Sequence, residues 1–336
     1  MSPLVRAACL THYSDVARAS GLDPARMLSE AGLHPGVERE PDLLIPVDRV
    51  GRLLQASALQ SGNEGFGLCM AESRRLSNLG PVGLLIRDQA TLRDSLQVLM
   101  RYQVLLNGSM SLMLEEQAGL AVLRQEVQAG RPQQPTRQRI ELALGVMLGL
   151  MRQFLGEDWR PRRVCLEHPV PRDLGVHQRV LGRGLSFNAD FNGIVCTQAE
   201  LDARNPAADP AMVRYAQQLL DAAVKPQPPT LALDVQRTVV LLLPSGRCSI
   251  EQVADHLGLA CRTVQRGLAE QGQRYSALVN DVRRELAARH VLHSDRPLTE
   301  VAALLGFSAP SAFSRWYMAQ FGCSATRSRA ERAVMA

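Results

Sequence analysis

The sequence predicts an α+β N-terminal domain followed by an all-α domain with two helix-turn-helix units joined by a linker helix. Three observations support this fold class. Apolar residues recur at spacings of three and four through most of the chain, which is typical of amphipathic helices. The spacing changes to two between residues 110 and 125, which is typical of strands. One helical pattern near the C-terminus occurs again 48 residues later.

The N-terminal part mixes helical and extended patterns. Alternation at Met110, Leu112 and Leu114, a turn at 116–119 and a second alternating run to Gln125 predict a hairpin. Helical spacing predicts helices over 24–31, over 47–59, from Thr91 to the Asn107-Gly108 stop, and over 136–154. Short strands are expected at 164–167 and around 186–192.

A proline-rich stretch predicts the domain boundary. Asp209-Pro210 combines a capping Asp with Pro in the first turn and so opens a helix, which is expected to reach about Val224. Residues 225–230 contain three prolines in six positions, which cannot continue a helix. We therefore expect an N-terminal domain at 1–224, a linker at 225–230 and a C-terminal domain at 231–336.

The excess positive charge is concentrated in the C-terminal domain. Residues 231–336 contain 13 of the 38 basic and 9 of the 33 acidic residues, and the whole chain carries +5. This distribution favours a polyanionic partner. The longest apolar run, Leu142 to Met151, is too short to cross a bilayer. Scattered cysteines without a Cys-x-x-Cys pair favour reduced thiols and a cytoplasmic location, with no cofactor expected.

The first repeat of the pattern predicts a helix-turn-helix. Ser249 and Gln252 form a capping box at its start. Ala254 is small where two helices cross, and Gly258 tolerates the positive φ of the turn. The second helix then presents the side chains Arg262, Gln265 and Arg266, and Arg and Gln are suited to base edges in the major groove.

The second repeat predicts another helix-turn-helix with one extra turn residue. Ala302, Gly306 and Phe313 match Ala254, Gly258 and Val264. The groove-facing residues predicted for this unit are Ala309, Ser311, Ser314 and Arg315. Between the units, helical spacing continues from 275 to 294, and about 18 helical residues span about 27 Å. Such a rod can place two recognition helices in successive major-groove turns about 34 Å apart.

Several C-terminal stretches resemble a known family. The last ~105 residues look like the DNA-binding domain of AraC/XylS-type regulators. The resemblance lies in the sequences of 262–266, 281–287, 305–308 and 313–315. One departure is that Gly322-Cys323-Ser324-Ala325 lacks the usual Pro and Ser328-Arg329 lacks the usual Tyr. We therefore expect the final helix to be less well anchored.

The N-terminal part, over 80–84, 91–102 and 181–192, is similar to the effector domain of an arabinose-binding-like branch of that family, which includes ornithine-utilisation regulators. The resemblance implies a transcription activator that binds double-stranded DNA, a small-molecule effector and RNA polymerase. It also implies a homodimer, for which the helix at 209–224 is the candidate contact.

Two other functions are alternatives to a ligand-responsive regulator. A regulator without a small ligand, controlled by a partner protein, remains compatible with the sequence. An Ada-type repair enzyme with the same DNA-binding domain would carry a Pro-Cys-His-Arg-like acceptor motif, which the sequence lacks. No catalytic or metal site is therefore expected. Glu167, His168 and His177 were considered as metal ligands, but their spacing is loose.

Overall fold

The structure is a computed structural model that describes residues 3–127, 136–223, 231–246, 248–294 and 296–335. The described residues fall into two compact units, which divide between residues 223 and 231. The N-terminal unit combines helices with two sheets, and the described C-terminal unit is helical. The predicted fold class is therefore confirmed, whereas the proline-rich linker at 225–230 lies outside the described residues.

The N-terminal unit consists mainly of helices, and its longest helix, α7, lies at the centre. The helices are α1 (Tyr13–Ala19), α2 (Pro24–Glu30), α3 (Val47–Ser61), α4 (Phe66–Glu72), α5 (Pro81–Arg87), α6 (Leu92–Leu106), α7 (Arg137–Leu155), α8 (Gly175–Leu181), α9 (Gln198–Leu201) and α10 (Pro210–Ala223). The Thr91 hydroxyl accepts a hydrogen bond from the Asp94 backbone N–H, which caps α6 as the sequence predicts.

Two sheets complete this unit. Strands β1 (Leu4–Arg6) and β2 (Leu44–Pro46) pair antiparallel. The second sheet has the order β3-β4-β7-β5-β6, with β3 (Met110–Gln117), β4 (Leu120–Val127), β5 (Arg163–Cys165), β6 (Leu185–Ser186) and β7 (Gly193–Thr197). The β3–β4 hairpin is confirmed, although its turn is tighter than expected because Gln117 still pairs with Leu120.

The core of the unit forms around α7, which packs closely against α4. A Cβ atom built on Gly67 would stand 2.2 Å from the Gln138 carbonyl oxygen, and one on Gly145 would stand 2.5 Å from the Ala71 Cβ. Glycine is thus required at both positions for the two helices to approach each other. The hydrophobic core on the sheet side of α7 includes Leu144, Leu148 and Met151.

In the described part of the C-terminal unit, six α-helices pack around a long seventh, α14. They are α11 (Leu231–Leu242), α12 (Ile250–His256), α13 (Cys261–Glu270), α14 (Tyr275–His293), α15 (Leu298–Leu304), α16 (Pro310–Phe321) and α17 (Ala325–Met335). Helix α11 packs against α12, α13 and α14, while α14 also contacts α15 and α17. Fully buried aliphatic residues on three of these helices, Val239, Val282 and Val301, form part of this core.

Candidate DNA-binding interface

The first helix-turn-helix consists of α12 and α13. The capping box is formed as predicted, because the Gln252 N–H donates to the Ser249 hydroxyl at 3.3 Å and the Ser249 N–H donates to the Gln252 side chain at 3.0 Å. Gly258 has φ of +65° in the turn, where a residue with a Cβ would be strained. The Leu259 N–H donates to the Ala254 carbonyl at 2.9 Å and closes the turn.

The orientation of α13 separates its buried and exposed residues. Val264 and Leu268 are buried, so they hold the helix against the unit. Arg262, Gln265 and Arg266 are exposed, as the sequence predicts. Arg266 pairs with Glu270 at 3.7 Å, but its side chain remains 76% exposed, so this surface pair leaves it free to move. The outer face of α13 therefore presents three long polar side chains.

The second helix-turn-helix, α15 and α16, repeats this geometry. Gly306 has φ of +70°, and the Phe307 N–H donates to the Ala302 carbonyl at 3.0 Å, which matches the Leu259–Ala254 bond of the first unit. Ala302 and Phe313 are buried at the positions that correspond to Ala254 and Val264. The sequence repeat thus corresponds to a structural repeat.

The residues predicted on α16 do not all occupy the same kind of position. Ser311, Ser314 and Arg315 are exposed, whereas Ala309 is half-buried at the N-cap. The Ser314 hydroxyl donates to the Pro310 carbonyl at 3.0 Å within the helix. That bond uses the only proton that the Ser314 hydroxyl can donate. The sequence pattern did not predict this bond.

The linker helix α14 binds directly to the second unit. The Arg283 Nε donates to the Leu305 carbonyl at 2.9 Å, and its guanidinium lies 4.9 Å from the centroid of the Phe307 ring. The Trp316 indole N–H donates to the Asn280 side-chain oxygen at 2.7 Å. These contacts join α14 to both the turn and the recognition helix, so the linker and the second unit form one body.

The linker helix is also bound to the segment that precedes the first unit. The Tyr275 hydroxyl donates to the Cys248 carbonyl at 3.0 Å, one residue before the N-cap Ser249. Burial raises the pKa of Tyr275, so the hydroxyl keeps its proton for this bond. The hydrogen bonds that join α14 to the two units therefore all lie in the first half of this 19-residue helix, between Tyr275 and Arg283.

The final helix α17 is anchored despite the departures from the family pattern. The Arg329 guanidinium donates to the backbone carbonyls of His290, Val291 and Arg296. The Cys323 thiol and the Ser328 hydroxyl lie 3.1 Å apart. These contacts hold α17 against the C-terminal end of α14 and the residues that follow it, and weaker anchoring than in other family members stays a prediction.

An aromatic cluster that sequence analysis did not identify supports α16. Its members are Phe307, Phe313, Trp316, Tyr317 and Phe321, and the Tyr317 and Phe321 rings stack at 4.3 Å between centroids. The only sequence signal was the spacing of aromatic residues at three and four along one helix. This cluster fixes the rotation of α16 and therefore which residues it exposes.

The histidines weighed as metal ligands have a different partner. His168 and His177 each approach the Glu141 Oε1 at 3.0 Å, and the Arg137 Nε lies 2.9 Å from the same atom. Burial raises the pKa of Glu141, but the hydrogen bonds of both histidines and the charge of Arg137 outweigh it and bring the pKa to about 2. Within the part of the chain that the structure describes, no group of three or more His, Cys, Asp or Glu residues is arranged to hold a metal.

The N-terminal unit contains a cavity of about 150 Å³. Its walls are mostly aliphatic and come from α3, α6 and α7, with Leu54, Leu99, Val146 and Leu150 among them. Four arginines also line it, namely Arg6, Arg74, Arg75 and Arg139, together with the Gln125 amide. Apolar walls with a few polar groups are typical of small-ligand sites.

Two helix-turn-helix units on one linker helix define a DNA-binding protein with two reading heads in a single chain. The comparisons with known proteins agree. A helix-turn-helix domain family matches residues 253–331, and the family described as the arabinose-binding domain of AraC transcription regulators matches residues 21–205. The chain belongs to the AraC family of transcription regulators.

Individual relatives extend over almost the whole chain. The chain is 30% identical to the transcriptional regulator VirS of Mycobacterium tuberculosis, over 98% of this chain and 97% of VirS. It is 24% identical to the ornithine utilization regulator of Pseudomonas aeruginosa, over 90% and 89% of the two chains. The solved structure of the transcriptional regulator CdpR from Pseudomonas aeruginosa has a TM-score of 0.46 and 19% identity, over 94% of this chain and 95% of CdpR. Among the described residues, no helix is both long and apolar enough to span a membrane.

Proposed function

We propose that this AraC-family regulator is a sequence-specific activator that responds to a small-molecule effector. The effector binds in the N-terminal domain, residues 1–224, and DNA binds to residues 231–336. The exposed residues Arg262, Gln265 and Arg266 of α13 carry this proposal, because they occupy the outer face of a recognition helix whose opposite face is buried. Arg and Gln can each make bidentate hydrogen bonds to purine bases.

The second unit contributes differently. Three of its predicted groove-facing residues are exposed, namely Ser311, Ser314 and Arg315, and of these only Arg315 is long. Short hydroxyl side chains more often contact phosphates, which position a protein without specifying a sequence. We therefore assign most of the base discrimination to α13 and much of the sequence-independent affinity to α16.

The cavity favours control by a small molecule over control by a partner protein. It lies within one unit, it is lined mainly by aliphatic side chains, and it has a small number of polar groups. This combination suits an enclosed ligand rather than a protein surface. Activation also requires a contact with RNA polymerase, which we include among the proposed partners.

We also propose a homodimer through α10. One face of this helix is buried through Ala216 and Leu220. Tyr215 and Leu219 on another face are 62% and 59% exposed, and Met212 is 37% exposed. An exposed apolar stripe of this kind is typical of a helix-helix contact between subunits.

The direct test is transcription in vitro with purified RNA polymerase and a template that carries a DNA site selected by the full chain. We expect the full chain to raise transcript yield from this template and not from one with a scrambled site. A chain that binds the site but lowers the yield would contradict activation. A chain with equal affinity for both templates would contradict sequence-specific binding.

A further inference from the structure

We propose that the cavity of the N-terminal unit binds a small organic acid, with one carboxylate beside the arginines and an apolar body against the aliphatic walls. This inference rests on the proposed effector response and names its chemical class. The observation that supports it is that four arginines line a cavity whose other walls are mostly aliphatic.

The charge of the cavity is one-sided. None of its described lining residues is Asp or Glu. Arg6 reaches an exposed partner, Asp42, at 2.5 Å, and Arg139 donates to the Ser109 hydroxyl at 2.5 Å. No ion pair joins Arg74 to any residue that the structure describes. Arg74 therefore brings to the cavity a positive charge that no described lining residue neutralises.

Arg74 is the residue best placed to meet the carboxylate. Its two terminal nitrogens donate to the Ala8 and Cys9 carbonyls, which fixes the guanidinium, and its buried Nε has no hydrogen-bond partner among the described residues. Burial lowers the pKa of Arg74, which means that its charged form is penalised there. A bound carboxylate would supply both the missing acceptor and the missing countercharge.

The neighbouring groups do not supply that countercharge. Burial raises the pKa of the Cys9 thiol to about 11 despite the positive charges of Arg74 and Arg139, so the thiol stays neutral at physiological pH. The carboxylate of Glu38 affects Arg74 electrostatically, but it does not line the cavity and accepts hydrogen bonds from Ser14 instead. Buried Gln125 also lines the cavity, and its amide nitrogen is the atom that can donate to a carboxylate, because its side-chain oxygen only accepts.

The remaining walls define the rest of the ligand. A cavity of about 150 Å³ can hold a ring such as benzene, so the apolar body has about six to eight carbons. A sugar would place several hydroxyl groups against aliphatic walls, where they lose hydrogen bonds to water. A cationic amino acid would place its positive group beside the arginines, which is repulsive.

The test uses the full chain and three probes with the same eight-carbon chain: octanoate, octan-1-ol and octylamine. We expect octanoate to raise Tm by about 5 °C at a hundredfold excess over its Kd, and the other two to have little effect. The variants are Arg74→Gln, which removes the charge, and Ala143→Leu, which fills part of the cavity. Arg18→Gln is the control, because Arg18 lies on α1 with a side chain 64% exposed.

The inference predicts that wild type and Arg18→Gln respond to octanoate, whereas Arg74→Gln and Ala143→Leu do not. If Arg74→Gln does not fold, Ala143→Leu alone decides the location of the site. Equal stabilisation by octan-1-ol or octylamine would overturn the acid specificity, and a full response in Ala143→Leu would overturn the location. DNA binding is measured on the same samples. If wild type binds DNA sequence-specifically but octanoate does not raise its Tm, this inference alone is rejected. If wild type does not bind DNA sequence-specifically, the proposed function is rejected.

Discussion

Trp316 on the second recognition helix donates its indole N–H to the Asn280 side-chain oxygen on the linker helix, at 2.7 Å. The Asn280 amide nitrogen in turn donates to Gln320 at 3.2 Å, so one linker residue holds α16 at two points. Because the two reading heads are joined by α14, this contact fixes where the second head lies relative to the linker.

We expect Asn280→Ala to weaken DNA binding mainly through the second head. The variant loses both hydrogen bonds, each worth about 1 kcal/mol, and the freed α16 should bind less well to DNA that spans both heads. Fluorescence anisotropy should show about a fivefold loss on a full site and little change on a site that only the first head contacts. Asp281→Ala is the control, since the Asp281 side chain is 58% exposed on the same helix. Equal losses on both DNAs would contradict the assigned role.

Arg262→Ala and Arg266→Ala should relax the preference for particular bases. Each bidentate contact to guanine contributes about 1–3 kcal/mol of discrimination, so preference at one position should fall about fivefold or more. Arg284→Ala is the control and should leave the preferred bases unchanged. Arg284 lies on the linker helix and pairs with Asp281 at 3.6 Å. Binding selection from a random DNA pool with each variant measures this. Unaltered base preferences in both α13 variants would contradict the assignment.

Ser311→Ala should weaken binding more than Ser314→Ala does, and about equally on all sequences. The Ser314 hydroxyl donates within the helix to Pro310, so it must break that bond before it can donate to a phosphate. Ser311 is exposed at the start of the same helix. Anisotropy on two unrelated DNA sequences compares the variants directly. A larger loss of affinity for Ser314→Ala than for Ser311→Ala would contradict this ranking. A loss of affinity for Ser314→Ala on only one of the two sequences would show that Ser314 contacts bases.

Sequence analysis predicted the local features of the C-terminal unit. The Ser249–Gln252 capping box and the Gly258 turn depend on residues within a few positions of each other, so the sequence contains all the information they need. The partner of His168 was not predictable in this way. Glu167 is adjacent in sequence, but the residue that His168 and His177 contact is Glu141 on α7, and only the packing of α7 against α8 and its neighbours brings them together. The cavity arginines come from separate segments for the same reason.

Glu141→Gln should destabilise the chain by about 3 kcal/mol at pH 7, because it removes the buried carboxylate that Arg137, His168 and His177 share. The folded-state pKa of Glu141, about 2, lies below its ordinary value of 4.5, so its stabilising effect is complete above pH 4.5 and is lost as the pH falls toward 2. The stability difference between wild type and variant, from urea unfolding, should shrink across that range. Glu72→Gln is the control, because the Glu72–Arg179 pair is largely exposed. A difference that does not vary with pH would contradict this account.

Leu219→Asp on α10 should shift a dimer toward monomer, because a charge on the exposed apolar stripe must be desolvated in a subunit contact. Sedimentation velocity of the full chain over a range of concentrations measures the shift. Gln218→Asp introduces the same charge on a neighbouring exposed position and should have a smaller effect. A strictly monomeric wild type at high concentration would contradict the proposed dimer.

Selection of DNA from a random pool by the full wild-type chain tests the central claim most directly, that one chain binds with two unlike reading heads joined by α14. The account predicts a non-palindromic site with two different submotifs about one helical turn apart, the stronger one being lost in Arg262→Ala. Selection of a single short motif would contradict it. Selection of two identical submotifs with equally strong base preferences would also contradict it.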